Sequence, residues 1–127
     1  MKTIRRLPDL ELEVMQALWT CDVPANRTEI AAKMQEQTDR PEPLAQTTLL
    51  TLLSRLEQKG FIRIEKQGRA SVYTPMVAQE EYNRSQSRSF VDKLFGGNIK
   101  AFANALSDGG LTEEELAELR KLLEKKE

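Results

Sequence analysis

The sequence contains no histidine and a single cysteine, Cys21. These absences exclude zinc sites of the usual ligand types within one chain and catalysis by an imidazole base. A disulfide framework is excluded too, and a lone thiol fits a reducing cytoplasm. No stretch approaches the roughly 20 apolar residues that a membrane span requires. The opening MKTIRRLPDLELEV has no apolar run behind its charges, so no signal peptide is expected there. There is no glycine-rich phosphate loop. Asp22, next to Cys21, raises a thiol pKa rather than activating it. The acid pair Glu80-Glu81 falls on a polar helical stretch and reads as solvated surface. No enzymatic activity, cofactor or metal is expected.

An excess of charge of either sign is also missing, since the formal net charge is −1. That counts against a chain that is basic throughout, the usual sign of a nucleic-acid binder. The distribution is uneven, however. Between Leu44 and Tyr73 stand Arg55, Lys59, Arg63, Lys66 and Arg69 against only Glu57 and Glu65. Lys2, Arg5 and Arg6 form a basic arm, while Glu113, Glu114, Glu115 and Glu118 gather near the C-terminus. Screening confines the reach of a charge to about 8 Å at physiological salt, so the local balance governs attraction to phosphate.

With 127 residues, 39% hydrophobic and 31% charged, the chain reads as soluble and globular, either one domain of usual size or two small ones. Its most informative stretch is AQTTLLTLLSRLEQKGFIRIEKQGRASVYTP. Leu49, Leu52, Leu53 and Leu56 make one apolar stripe at helical spacing. Thr47, Thr48, Thr51, Ser54, Arg55, Gln58 and Lys59 gather opposite, a hydroxyl-rich face without an acid, and Leu50 sits at its margin. Lys59-Gly60 closes the helix. Phe61, Ile62 and Ile64, then Ser71 to Thr74, have strand character around the polar tip Lys66-Gln67-Gly68-Arg69. A donor-bearing helix followed by a hairpin with a basic tip is the layout of a winged helix-turn-helix, in which the helix enters the major groove of DNA and the wing reaches the backbone or minor groove.

Upstream, Asp9 is placed to cap a helix running through Trp19, and Asn26 with Glu29 resembles a capping box opening a second. Pro41 and Pro43 mark a loop into the third. Downstream, Gln79 to Phe95 reads as a polar helix, apolar only at its end. Gly96-Gly97 interrupts it, and a short helix follows. A last helix opens on a Thr112–Glu115 capping box and a Leu111–Leu116 staple, with Lys121, Lys125 and Lys126 complementing its negative end. The expected fold is mainly α with a small β wing: a winged-helix DNA-binding domain over residues 1–77 and a helical dimerisation arm over 78–127. The downstream helices are too small to fold alone, and a second copy is the economical partner for their stripes, the alternative being that they fold back onto the N-terminal domain. Phe90, Val91, Leu94, Phe95, Ile99, Phe102, Leu106, Leu116, Leu119, Leu122 and Leu123 are the expected dimer contacts.

TTLLTLLSRLEQKGFIRIEKQGRASVYTP, preceded by LEVMQALW and RTEIA and followed by FVDKLFGG and LTEEELAELRKLLEK, resembles the penicillinase-repressor family of bacterial winged-helix regulators from Leu7 to Lys126. The resemblance implies a cytoplasmic, homodimeric repressor of inverted-repeat operators on double-stranded DNA. Carried over, it assigns Gln46, Thr47, Thr48, Thr51 and Arg55 to bases or phosphates, and Lys66, Gly68, Arg69 and Tyr73 to the wing. The copper-responsive branch carries a C-terminal cysteine cluster that this chain lacks. The β-lactam-responsive branch is cut by a membrane sensor-protease at an Asn-Phe bond. The matching stretch here is Asn104-Ala105-Leu106, so control by such cleavage stays open. The competing reading is a winged helix that docks onto a protein instead of reading DNA, which salt dependence of binding separates. The sequence names neither operator, regulated genes nor inducing signal.

Overall fold

The computed structural model describes residues 4–125, so Lys2 of the basic arm and Lys126 of the last helix lie outside the described residues. Two compact units are present, the first ending at Arg84 and the second starting at Ser85.

The first unit contains α1 (Asp9–Thr20), β1 (Ala25–Asn26), α2 (Arg27–Gln37), α3 (Gln46–Gln58), β2 (Ile62–Gln67) and β3 (Ala70–Pro75). Val14, Met15, Ala17 and Leu18 of α1, Ile30 and Met34 of α2, and the four stripe leucines of α3 are buried together against Phe61, Ile62 and Tyr73. Local chemistry sets the helix ends. Pro8, not Asp9, occupies the position before α1, and no side chain caps that end. Asp9 instead lies in the first turn, where its charge still complements the positive end of the helix. The Asn26–Glu29 box forms as expected, with Glu29 N–H donating to Asn26 Oδ1 at 2.9 Å and Asn26 N–H to Glu29 Oε1 at 3.0 Å.

The end of α3 matters most for the site. Gly60 takes φ +82°, a conformation that favours a residue without Cβ. Its N–H then reaches Glu57 O, and Phe61 N–H reaches Leu56 O at 2.9 Å, a complete Schellman cap. Phe61 and Leu56 are both buried at this corner, which fixes where the chain turns into β2. The sheet is three-stranded and antiparallel in the order β1-β3-β2, not a two-stranded hairpin alone. β1 is only two residues long, pairing Ala25 with Tyr73 and Asn26 with Val72, and so presents no alternation from which a strand could be read.

The first unit also includes the beginning of α4 (Gln79–Phe95). Tyr82 is buried, its ring 5.9 Å from Trp19 and 5.8 Å from Phe61, and its hydroxyl accepts the Leu7 N–H at 2.9 Å. Trp19 Nε1 donates to Val77 O at 2.9 Å. These anchors carry the compact unit seven residues beyond the expected boundary at 77.

In the second unit α5 (Ile99–Ala105) is capped by Asn98, whose Oδ1 accepts Ala101 N–H at 3.0 Å. A π-type turn over Leu106–Gly110 follows, and α6 (Glu113–Glu124) opens on the expected Thr112–Glu115 box. Phe90, Phe95 and Phe102 pack edge to face with centroids 5.5 to 6.3 Å apart. Of the residues expected at a dimer contact, Phe90, Leu94, Ile99, Leu122 and Leu123 are exposed, and Phe95, Phe102, Leu106, Leu116 and Leu119 are half-buried. Val91 departs from that group: it is buried within the single chain and has little surface left to offer. Among the described residues, no helix is long and apolar enough to cross a membrane.

Candidate nucleic-acid interface

The α3 periodicity resolves the helix into a core side and an open side. Leu49, Leu52, Leu53 and Leu56 are buried, while Gln46, Thr47, Thr48, Thr51, Ser54, Arg55 and Gln58 are all exposed. Gln46, Thr47 and Thr48 form the first turn, the part of a recognition helix best placed to reach base edges. Thr51 lies one turn on, and its hydroxyl donates to Thr47 O at 2.9 Å. Its hydrogen is thereby committed to the helix, leaving a methyl group and an acceptor oxygen facing outward. Arg55 lies in the last turn, and among the described residues no carboxylate pairs with it.

Lys59 belongs elsewhere. The sequence puts it on the polar face of the helix, but its Nζ donates to Glu11 Oε1 at 2.5 Å. Glu11 is 3% exposed on α1, so this is an internal ion pair and not a phosphate contact. Arg63 is also engaged, its Nε 2.9 Å from Glu65 Oε1 on the same strand. The basic residues free among the described part of the hairpin are therefore Lys66 and Arg69, both exposed.

The wing tip is a two-residue turn. Gln67 pairs with Ala70, and Gly68 between them takes φ +64° while Arg69 keeps a negative φ. Glycine at the first central position is the requirement of a II′ hairpin turn, whose twist matches the strands. Lys66 and Gln67 thus belong to β2, and only Gly68-Arg69 forms the tip. Tyr73 is a correction to the expected wing contacts. It is 3% exposed, lies between Ala25 and Ile64 in the sheet, and its ring belongs to the core. Its place in the sheet explains this, because β3 is the middle strand and Tyr73 is flanked by Ala25 on one side and Ile64 on the other.

Between α3 and the wing lies a cleft of about 330 Å³. Its walls include Gln46 and Leu50 of α3, Arg69 and Ser71 of the hairpin, Arg27 and Thr28 at the start of α2, and an edge of Tyr73. The sequence singled out neither Arg27, Thr28 nor Ser71 as part of an interface. The legible signal was the capping box, which puts Arg27 and Thr28 in the first turn of a helix whose start is tied to the sheet through Asn26.

Among the described residues there is no cluster of acid and thiol ligands able to hold a metal. Partial burial pushes the pKa of the Cys21 thiol up, and Glu29, Asp22 and Glu36 add to this against an opposing effect of Lys33. The expected cleavage stretch lies where α5 passes into the π-type turn, with Asn104 and Ala105 exposed and Leu106 half-buried.

The chain is similar to known proteins along nearly its whole length. The penicillinase repressor of Bacillus licheniformis is 32% identical over 125 residues, covering 98% of this chain and 94% of that protein. The methicillin resistance regulatory protein MecI of Staphylococcus aureus (strain N315) is 30% identical, covering 91% of each. The solution structure of the DNA binding domain of the repressor BlaI superposes with a TM-score of 0.50 at 33% identity, covering 65% of this chain and 94% of that one. The model of the penicillinase repressor family matches residues 7–125, nearly the whole chain, and the chain belongs to that family.

Proposed function

We propose that this protein is a transcriptional repressor that binds double-stranded operator DNA as a homodimer, each protomer placing α3 in the major groove of one half of an inverted repeat. The observation that carries the reading is the division of α3. Four of its five leucines are buried, and what it exposes from Gln46 to Arg55 is a hydroxyl, an amide, a cation or the apolar Leu50, its one acid, Glu57, lying beyond that stretch in the last turn. A helix that only faced water would have no reason to keep acids off its first turns, beside a hairpin carrying two unpaired cations.

Self-association is assigned to the second unit. Five large apolar side chains there are exposed, among them Leu94 at 64% and Leu123 at 63%. A unit this small gains from covering such residues against a second copy. A two-fold dimer reads a two-fold operator, hence the inverted repeat. The cytoplasm is the compartment that operator binding requires. The proposal extends to release of the operator by cleavage within Asn104-Ala105-Leu106, supported by the exposure of Asn104 and Ala105 and by the break in regular helix that follows.

Binding of the full chain to a duplex across a range of salt concentrations tests the reading. Affinity should fall steeply with salt, since neutralised phosphates release counterions. Flat salt dependence, with binding to a protein partner in its place, would overturn it.

A further inference from the structure

We infer that the cleft between α2, α3 and the wing is the seat of one backbone segment of the DNA, and that Arg27 of α2 is a third phosphate-contacting element beside α3 and the wing tip. The inference rests on the reading of α3 and the hairpin as the DNA interface. A helix in the major groove and a hairpin tip at the minor groove stand on opposite sides of one sugar-phosphate strand. That strand has to pass between them, and the space between them is this cleft.

The lining fits such an occupant. Arg27 and Arg69 come from separate elements and both line the same space, and among the described residues neither has a carboxylate within ion-pair distance. Glu29, the nearest acid in sequence to Arg27, is turned to the Asn26 N–H within the capping box. Thr28, Ser71 and Gln46 add neutral donors. Leu50, exposed to 39%, supplies an apolar wall. Two guanidinium groups with small hydroxyls suit a phosphodiester, and one apolar side chain suits the face of a deoxyribose. This gives Leu50 a use that a solvated helix face would not.

The test compares the full-length parent with Arg27→Gln and Arg27→Lys on one operator duplex and one unrelated duplex, each titrated over salt. Arg27→Gln should lower the salt slope by about one unit for each protomer bound and weaken both duplexes alike, roughly fourfold per protomer at 0.2 M salt. Arg27→Lys, which keeps the charge, should restore the slope. Duplexes carrying a neutral methylphosphonate at single positions locate the contact. One position should cost the parent affinity but cost Arg27→Gln little, because its charge partner is already gone. Parental slope and affinity in Arg27→Gln, alongside a lowered slope in Arg69→Ala, would overturn the cleft as a seat and leave the DNA reading standing. A parent with no salt-dependent binding to either duplex would overturn both. A shift of the preferred base in Arg27→Gln would contradict a phosphate contact.

Discussion

Lys59 donates to Glu11 across 48 residues of sequence, its Nζ 2.5 Å from a carboxylate that is almost wholly buried. The pair ties the end of α3 to α1, so the helix that carries the exposed hydroxyl face is held by an ion pair as well as by its leucines. Truncating one partner strands the other away from water. Lys59→Ala should destabilise the fold by about 3 kcal/mol in a denaturant titration. Replacing both, as Glu11→Leu with Lys59→Met, should recover most of that loss. DNA binding at temperatures where the variant stays folded should keep its parental salt slope. A lowered slope would return Lys59 to the phosphate contacts.

Arg69 is predicted to behave in the opposite way. It sits at the wing tip with no acid partner among the described residues, so Arg69→Ala should leave stability within about 0.5 kcal/mol of the parent. It should weaken all duplexes alike and lower the salt slope by about one unit per protomer. Altered base preference at one position would mean that the wing reads sequence.

The two threonines of the exposed α3 face should separate. The Thr48 hydroxyl has no partner among the described hydrogen bonds, whereas that of Thr51 is spent on Thr47 O. Thr48→Ala should cost about 1–3 kcal/mol of specific binding while sparing non-specific binding. Thr51→Val keeps the outward methyl and loses a hydroxyl whose hydrogen is already committed, leaving only an acceptor oxygen to lose, so its effect should stay within about 0.5 kcal/mol. Equal losses in competition binding would show that the Thr51 hydroxyl is needed at a base.

Leu123 probes association without probing the fold. At 63% exposure in the single chain, Leu123→Asp removes little internal packing, but at a covered contact it would bury an unpaired carboxylate. Sedimentation should show monomers at concentrations where the parent is dimeric, with unchanged helical circular dichroism. A dimeric Leu123→Asp would place the contact elsewhere. Phe102→Asp is a poorer probe, because Phe102 already packs against Phe90 and Phe95.

What the sequence made legible was local. The leucine stripe of α3, the Asn26 and Thr112 capping boxes, the Gly60 helix end and the glycine-bearing tip each depend on residues within a few positions, and each recurs in the structure. Apart from the start of α1, where Pro8 and not Asp9 precedes the helix, the misses are long-range or very short. Glu11 and Lys59 find each other only after α1 and α3 pack, and the Tyr82 hydroxyl meets Leu7 from 75 residues away. Polar residues at such positions look solvated until the fold supplies a partner. β1 has too few residues to carry a pattern, and Tyr73 reads as wing surface until β1 covers its other side. The cleft combines three elements, so its walls could not be assembled from any one stretch.

On the proposed function, the exposed face of α3 reads sequence in a two-fold dimer. Selection of bound duplexes from a random library, with the full-length protein at physiological salt, tests it most directly. Two inverted half-sites should be enriched, their centres whole helical turns apart, about 34 Å each, and Thr48→Ala should lose enrichment at defined positions. Recovery of a single motif without an inverted partner, or no enrichment at all, would contradict it.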